Sequence, residues 1–380
     1  MINYRQAELR DMESIIDLAN MVFSMLRVPH NFSQMLPKVY AAPNLQPQIH
    51  VIAEEEGRLV GCLGMLVFPL RMANETLRVG YLGTMAVHPR VRGRGTMGEL
   101  MEKQIKRGKE LGLDMLVLGG QRQRYARHGF ETCGANYVYS ISKANVRHAY
   151  SDVSSEGVTF RLMQPSDAST AYALYDRQRV AGAREIMNFV DVLKSYGRAG
   201  WIIELNGEIV GYLCASSDLQ TITELVLDNA ELLPGIIKGW SEKTGGKLLH
   251  IHAAPHDVHL NERLAPVCEG YSLTPNCMIR VLNPKNVIKA YLELKNTYVA
   301  LQPGVRIISW EGMGVYRIEI EQNGGIDVNE CGEKADVVLT DRQAHQIMFD
   351  YNPYTSRQKR KELDNNWFPL PFHISEPDSF

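Results

Sequence analysis

A glycine-rich loop with three arginines is the feature of this sequence that most restricts its chemistry. Residues 87–97, VHPRVRGRGTM, follow an apolar run and precede an amphipathic segment, a pattern typical of a strand, a turn and a helix start. Glycines let backbone N–H groups approach a ligand, and a helix N-terminus adds partial positive charge. With the arginines, the pattern predicts a cradle for a pyrophosphate or a similar polyanion.

The loop resembles the coenzyme A loop of the GNAT superfamily of N-acetyltransferases, in which V-x-P-x-x-R-G-x-G closes the central strand and opens the next helix. Of the two registers that fit, we prefer the one that starts at Arg92, although Met97 departs from the usual small residue at its end. The resemblance implies acetyl-CoA as cosubstrate. Its implied loop contacts are Arg92, Gly93, Arg94, Gly95, Thr96, Met97 and Gly98.

Two other interpretations of the loop are open. Gly93-x-Gly95-x-x-Gly98 also spells the fingerprint of a dinucleotide-binding oxidoreductase. That motif normally follows the first strand of its domain, with an acidic residue ending the next strand, whereas here several strand-like runs precede it and the next run ends in Gly119-Gly120. The second alternative is a solvated arginine turn without a ligand, which the interleaved glycines disfavour.

Amine acetylation by a thioester needs donors for the thioester oxygen, a base for the ammonium and an acid for the leaving thiolate. The exposed backbone of Met85, Ala86 and Val87 is expected to supply the donors, because backbone amides are the usual device for a developing oxyanion. The strand that contains them, residues 81–87, has no carboxylate. The base must therefore come from another part of the chain.

Tyr125 is the candidate acid. It lies in a Tyr-x-x-x-Gly-Phe run that resembles the site of the general acid in many GNAT enzymes. A phenol with a pKa near ~10 can protonate a thiolate whose pKa is near ~8.5. A core tyrosine at a helix end is the structural alternative. Gly120 and Gln121, just after the preceding strand, join the predicted cofactor-binding residues.

Composition limits the class of protein that holds these residues. The 380 residues suggest two or three domains, and 22% charged with 45% hydrophobic residues is ordinary for a globular protein. A net charge of −2 argues against nucleic-acid binding. Six cysteines without a C-x-x-C pair indicate neither a metal site nor a disulfide framework. Without a signal core or an apolar run of ~18 residues, we expect a cytoplasmic protein with no membrane span.

The first two thirds of the sequence contain an internal repeat. Residues 4–11 recur as 160–167, each predicted as a short strand that leads to an Asp suited to cap a helix. GRLVGCL at 57–63 recurs as GEIVGYL at 207–213, each as part of a predicted hairpin. Two matches in the same order favour a duplicated domain over chance. In the second copy an acidic turn at 228–231 replaces the arginine loop. It would repel a pyrophosphate, so we expect this copy to be a scaffold or a pocket wall.

From about residue 278 the pattern changes to a helix-like segment followed by alternating strands. The sequence therefore predicts an α+β fold with two tandem domains, of which the second is degenerate, and a third domain; the expected ranges are 1–150, 151–277 and 278–380. The last run, NWFPLPF at 366–372, is aromatic and proline-rich, which predicts a tail that docks on the protein.

These parts together resemble the Eis (enhanced intracellular survival) family over essentially the whole chain. The resemblance implies a sterol-carrier-like third domain, Tyr125 as general acid, and a tail that brings the terminal carboxylate of Phe380 to the active site as base. An exposed α-carboxylate, with a pKa near ~3.3–3.7, is a poor base, so we expect burial among rings such as Phe368 and Phe372. The family also implies a homo-oligomer, with a hexamer among the expected forms.

The acceptor stays open between aminoglycosides, polyamines, protein lysines and small amines, because loops of unknown packing form the pocket walls. The charged run at 121–124 departs from the family pattern and adds to this uncertainty. A function of another class also stays open: a non-catalytic acyl or lipid carrier, or an interaction protein, whose third domain holds an apolar ligand.

Overall fold

The computed structural model describes residues 1–25, 28–182, 184–352, 354, 357–363 and 366–380. It confirms the predicted α+β class, with helices packed on three β-sheets. Within the described ranges the strands are β1 (Asn3–Gln6), β2 (His50–Glu55), β3 (Arg58–Met72), β4 (Glu75–Val87), β5 (Met115–Leu118), β6 (Glu131–Cys133), β7 (Asn136–Ile141), β8 (Val158–Leu162), β9 (Val180–Gly182), β10 (Arg198–Leu205), β11 (Glu208–Ser216), β12 (Thr221–Leu227), β13 (Leu249–Ala253), β14 (Gly270–Thr274), β15 (Cys277–Val281), β16 (Gly304–Trp310), β17 (Gly314–Ile320), β18 (Ile326–Glu330) and β19 (Val337–Leu339).

The helices in the same ranges are α1 (Met12–Ser24), α2 (Phe32–Met35), α3 (Pro37–Tyr40), α4 (Thr96–Glu110), α5 (Arg122–Tyr125), α6 (Lys143–Ala149), α7 (Ala168–Asp176), α8 (Phe189–Leu193), α9 (Leu233–Lys243), α10 (Val258–Leu264), α11 (Pro284–Asn296), α12 (Asp341–Phe349) and α13 (Arg357–Leu363). None of these helices is both long and apolar enough to cross a lipid bilayer. All six cysteines are free thiols.

The first sheet has the strand order β1-β2-β3-β4-β5-β15-β6, and β9 pairs with β3 outside this path. The pairs β1–β2, β2–β3 and β3–β4 are antiparallel, whereas the pair β4–β5 is parallel. Side chains alternate between the two faces: Cys62 shares a core with Ile15 of α1, and the next residue, Leu63, shares one with Leu100 of α4. Helices α1 and α4 therefore cover opposite faces of the sheet.

The second sheet repeats the first. Its order is β14-β7-β13-β12-β11-β10-β8, and from β8 to β13 the strands run antiparallel until the parallel pair β12–β13. The predicted hairpins are confirmed in both sheets, and each turn has two left-handed residues, Glu56-Gly57 and Asn206-Gly207. The first repeated segment forms the same ion pair in both copies: Arg5 binds Asp11 and Arg161 binds Asp167, each with an N–O distance of 2.7 Å.

The two repeats exchange a strand. Strand β7 lies between β14 and β13 in the second sheet, while β15 lies between β5 and β6 in the first. The predicted boundaries at 150/151 and 277/278 therefore do not follow the sheets, because β7 precedes the first boundary and β15 crosses the second. Hydrophobic patterning predicts that a segment forms a strand, but it does not show which sheet that strand joins.

The third sheet has the order β18-β17-β16-β19, with β19 parallel to β16. Helix α11 packs between this sheet and strands β3 and β4 of the first. The side chains of both sheets belong to one continuous hydrophobic core, which also includes the buried tail residues Trp367, Leu370 and Phe372. The likeness of this part to sterol-carrier proteins stays a prediction.

Candidate active site

Strands β4 and β5 separate where a ligand-sized opening begins. Their parallel pairing ends at Leu82 with Leu118. Just beyond, the register between β4 and β3 shifts at a bulge, where Thr84 has a left-handed φ of 53°. A bulge leaves a residue unpaired and bends the strand. As a result, residues 83–85 and 87 border a cavity of about 1370 Å³.

The arginine loop closes one end of this cavity. It follows the fourth strand of a largely antiparallel sheet, unlike the first strand expected of a dinucleotide fold. Gly95 precedes α4 in a left-handed conformation, φ 81°, which a side chain would strain. A Cβ added at Gly93, Gly95 or Gly98 would meet no atom within 4 Å. The space beside these three glycines is therefore open, next to the first N–H groups of α4, which have no acceptor within the helix.

Most of the predicted cofactor-binding residues line this one cavity, namely Met85, Val87, Arg92, Gly93, Gly95, Thr96, Met97, Gly98, Gly120 and Gln121. Two side chains do not. Ala86 is fully buried, because alternate residues of a strand point to opposite faces. The Arg94 guanidinium is held by Glu55, with an Nη2–Oε1 distance of 2.6 Å. Ala86 and Arg94 therefore offer a ligand only their backbone.

Polar groups in the cavity wall fit a polar ligand. The hydroxyls of Thr84 and Thr96 are buried and make no hydrogen bond of good geometry among the described residues, although Thr84 lies close to the hydroxyl of Tyr40. A buried hydroxyl without a partner costs free energy that a bound ligand could recover. Thr84 lies at the bulge and Thr96 at the first turn of α4, so the two orphaned groups flank the opening between β4 and the loop.

Tyr125 borders the same cavity at the end of α5. Its ring packs on Gly120, where a Cβ would come within 2.7 Å of Cε2. Burial raises the pKa of Tyr125, an effect that the charge of Arg124 partly offsets. The phenol is therefore protonated at neutral pH, which is the form that can donate a proton.

Phe380 borders the same cavity. Phe380 is only 7% exposed. A Cβ added to Gly83 would lie 2.5 Å from the Phe380 carboxyl carbon, and one added to Gly64 would lie 2.5 Å from its ring. Gly64 and Gly83 are paired across β3 and β4. The absence of two side chains at one point of the sheet thus makes room for the terminal residue.

The rings around Phe380 differ from those expected. Phe372 packs instead against Tyr291, with a centroid distance of 5.9 Å. The rings of Tyr40 and His50 lie at centroid distances of 6.3 and 6.4 Å from that of Phe380. Burial lowers the pKa of His50 to about 4, so its ring is neutral, and Nε2 accepts a hydrogen bond of 2.9 Å from the Tyr40 hydroxyl.

A buried arginine of the second repeat holds the tail in place. Arg184 binds Glu224 on β12, with Nη2–Oε2 at 2.6 Å, and Asp378 of the tail, with Nε–Oδ1 at 2.8 Å. Its side chain is 1% exposed. Burial opposes ionisation of Asp378, but the Arg184 guanidinium keeps the pKa of this carboxyl below its usual range. The tail is therefore held by charge-assisted hydrogen bonds inside the protein.

Three further contacts hold the same segment. Glu376 pairs with Arg198 and, at 2.6 Å, with Nδ1 of His252. Lys38 donates a hydrogen bond of 2.5 Å to the Pro377 carbonyl, and burial lowers the pKa of Lys38 to about 7. Anchors from both repeats thus fix the segment that ends at Phe380.

Sequence reasoning missed these anchors. Arg184, Arg198, Glu224 and His252 belong to no recognisable motif, and no local pattern marks them as partners of a segment at the end of the chain. The expectation that the second copy forms a pocket wall is confirmed, since Arg198 and His252 also line the cavity, together with Tyr196.

Residues 3–133 match the family model described as an acetyltransferase (GNAT) domain. No curated protein matches the chain. Solved structures share its fold at low identity. A GCN5-related N-acetyltransferase from Anabaena variabilis is 13% identical with a TM-score of 0.70, and 100% of each chain is covered. One from Kribbella flavida is 14% identical with a TM-score of 0.65, covering 91% of this chain and 88% of that one. Eis1 from Mycobacterium abscessus is 12% identical with a TM-score of 0.65, covering 95% and 92%.

Proposed function

We propose that this chain, an enzyme with a GNAT acetyltransferase domain, transfers the acetyl group of acetyl-CoA to a primary amine within a ternary complex. One observation carries the proposal: the arginine loop, Tyr125 and the terminal residue Phe380 all border a single cavity. The chemistry needs an anion cradle, an acid and a base at one place, and the cavity brings together a candidate for each.

The fit to the donor rests on the loop and on β4. Arg92 and the amides at the start of α4 would hold the pyrophosphate of acetyl-CoA, over glycines that leave the space open. The unpaired edge of β4 at Met85 and Val87 would hold the pantetheine arm and polarise the thioester carbonyl. Acetyl-CoA supplies the activated acyl group. The dinucleotide alternative is abandoned because the loop lies inside the matched acetyltransferase domain.

The acceptor ammonium gives one proton to the Phe380 carboxylate, directly or through water, and the resulting amine attacks the thioester carbon. The new C–N bond forms as the C–S bond breaks, and Tyr125 protonates the departing thiolate. The second proton, which the nitrogen loses on becoming an amide, restores the Tyr125 phenol, and the Phe380 carboxyl releases its proton to solvent. Apolar and aromatic neighbours of Phe380, Tyr40 and His50 among them, support the base role because they limit hydration of the carboxylate.

Removing the last two residues, Ser379 and Phe380, tests the base. We expect turnover to be lost while isothermal titration still detects acetyl-CoA binding. Phe380→Leu is the matched control, since it keeps both a terminal carboxylate and an apolar side chain and should retain most activity. Full activity of the shortened protein would refute the role of the carboxylate. Absence of acetyl-CoA binding by the intact protein would instead favour the non-catalytic carrier.

Tyr125→Phe tests the acid. We expect kcat to fall at least about tenfold with little change in KM for acetyl-CoA, because the phenol acts only when the thiolate leaves. Tyr271→Phe on the exposed strand β14 is the control for loss of a hydroxyl, since Tyr271 is 63% exposed and does not line the cavity. An unchanged kcat for Tyr125→Phe would assign the proton transfer to another group.

The finer features implied by the Eis resemblance belong to the same proposal. They are a sterol-carrier-like third domain, a cytoplasmic location and a homo-oligomer, with a hexamer among its forms. Only the sequence resemblance and the shared fold support them. Sedimentation of the purified protein measures the assembly state directly.

A further inference from the structure

The cavity has an apolar wall on the side of α1 and α2. Its residues are Val22, Phe23, Phe32, Met35 and Leu36. The rings form a continuous series toward the chain terminus: Phe23 meets Phe32 edge-on at 5.0 Å between centroids, Phe32 meets Tyr40 at 5.7 Å, and Tyr40 lies 6.3 Å from Phe380. Phe32 and Tyr40 are at most 2% exposed and support this wall from behind, so the half-buried Val22, Phe23 and Met35 are the side chains that present it to the cavity.

The second repeat completes this wall. Helix α2 packs against the turn Ser195–Gly197, from which Tyr196 borders the same cavity. Tyr196 has a left-handed backbone, with φ 60°. A bulky residue in this conformation costs free energy, and such strain concentrates at binding sites. The acceptor side of the cavity is thus built from rings of both repeats.

The charges of the cavity wall are mostly positive. Among the described lining residues the arginines are Arg92, Arg124, Arg127 and Arg198, whereas the carboxylates are Glu376 and the Phe380 terminus. Glu376 pairs with Arg198 and also contacts His252, so these charges largely neutralise each other. Because Arg92 is assigned to the pyrophosphate, Arg124 and Arg127 are the lining arginines that remain. The Phe380 terminus is therefore the carboxylate that remains to meet a substrate ammonium at this wall.

From these two observations we infer that the acceptor is a primary amine with a single ammonium group on an apolar, aromatic or aliphatic body. The ammonium meets the terminal carboxylate, and the body packs on the ring wall. Each additional positive charge of a polyamine or an aminoglycoside would enter a cavity lined by arginines, with no second free carboxylate among the described lining residues. This inference rests on the proposed acetyl transfer and specifies its substrate class.

A panel of amines tests the inference, with acetyl-CoA as donor and release of the free thiol as readout. We expect kcat/KM for 2-phenylethylamine and hexylamine to exceed that for ethanolamine, spermidine and kanamycin at least about tenfold. Equal or faster turnover of spermidine or kanamycin would overturn the apolar class and leave the acetyltransferase proposal standing. Thiol release that no amine accelerates would overturn the proposed function itself.

A pair of variants locates the effect on the wall. Phe23→Gln should raise KM for 2-phenylethylamine about tenfold, and leave both KM for ethanolamine and the Kd for acetyl-CoA unchanged. Met25→Gln is the matched control, because Met25 follows the same helix, is 56% exposed and does not line the cavity. An equal rise in KM for 2-phenylethylamine and ethanolamine would show that Phe23 has no contact with the apolar body, and would overturn the assignment of the wall.

Discussion

The strand pairs β4–β5 and β12–β13 occupy the same place in the two repeated sheets, yet they end in opposite chemistry. Both parallel pairs are short, ending at Leu82 with Leu118 and at Ile222 with Ile251. In each pair, the strand that leads into the following loop, β4 or β12, has a bulge just after its last residue paired with β5 or β13. The first pair leads to the arginine and glycine loop, and the second leads to the acidic turn at 228–231.

The bulged strand serves a different partner in each repeat. In β4 the free edge borders the cavity proposed for acetyl-CoA. In β12, Glu224 lies at the shift in register and binds Arg184, Ser375 and the hydroxyl of Tyr212. The same strand position thus borders the cavity in one repeat and holds the tail in the other.

Removing Arg184 tests whether the second repeat holds the tail, and we expect it to have the largest effect on stability and turnover. Arg184→Ala leaves Glu224 and Asp378 buried without their cation, a loss of roughly 3–5 kcal/mol for a buried ion pair. We expect a lower midpoint of urea unfolding and loss of turnover, because the tail is released. Arg161→Ala is the control: its partners Asp167 and Glu204 belong to a more exposed pair, worth under about 1 kcal/mol. Equal shifts in midpoint would contradict the anchoring role.

Gly83→Ala tests the first repeat at the point where the tail meets it. The new methyl group would lie 2.5 Å from the Phe380 carboxyl carbon, so the terminus must move. A displacement of about 1 Å at a reacting group costs roughly 100-fold in rate, and we expect kcat to fall by this factor with acetyl-CoA binding retained. Gly270→Ala, where a methyl group meets no atom within 4 Å, should leave kcat unchanged. Normal kcat in Gly83→Ala would place the base elsewhere.

One arginine beside each loop, Arg92 in the first repeat and Arg177 in the second, sharpens the contrast between the loops. Arg92→Ala should raise the Kd for acetyl-CoA about tenfold, the loss of a charge-assisted contact to a phosphate. Arg177→Ala should leave the Kd unchanged, because Arg177 pairs with Asp228 of the acidic turn in the second repeat. Titration calorimetry measures both values. A matching rise in both variants would mean that the second repeat also binds the cofactor.

Acidification should have the smallest effect. In the folded protein the pKa of Asp378 lies below its usual value, so the stabilisation from this carboxylate is complete above about pH 4 and is lost only as the pH falls through the lower, folded value. Burial lowers the pKa of Lys38, the other buried anchor, to about 7, so its charge changes above about pH 6. We therefore expect the tail to stay docked between about pH 5 and pH 6, where Asp378 stays ionised. The measurement is the fraction of Phe380 released by a carboxypeptidase, corrected for the activity of the protease. Release that increases as the pH falls from 6 to 5 would contradict the ion-pair account.

Features set by neighbouring residues could be predicted from the sequence, and those set by distant partners could not. The turn at Asn206-Gly207 and the loop at 92–98 depend on local backbone preferences, which the residue types reveal. The pairing of Arg184 with Asp378 joins residues 194 positions apart. Nothing in either local pattern indicates the other. Ala86 was assigned to the site through its backbone and Arg94 through its position in the motif; the structure buries the Ala86 side chain and pairs the Arg94 guanidinium with Glu55, a partner that the motif does not indicate.

The exchange of β7 and β15 means that this enzyme is not modular. A gene fragment ending near residue 150 would lack β15, and its product would expose the edges of β5 and β6 that this strand joins. Open edges of this kind recruit other chains and promote aggregation. Neither repeat can therefore be removed without taking a strand from the sheet of the other.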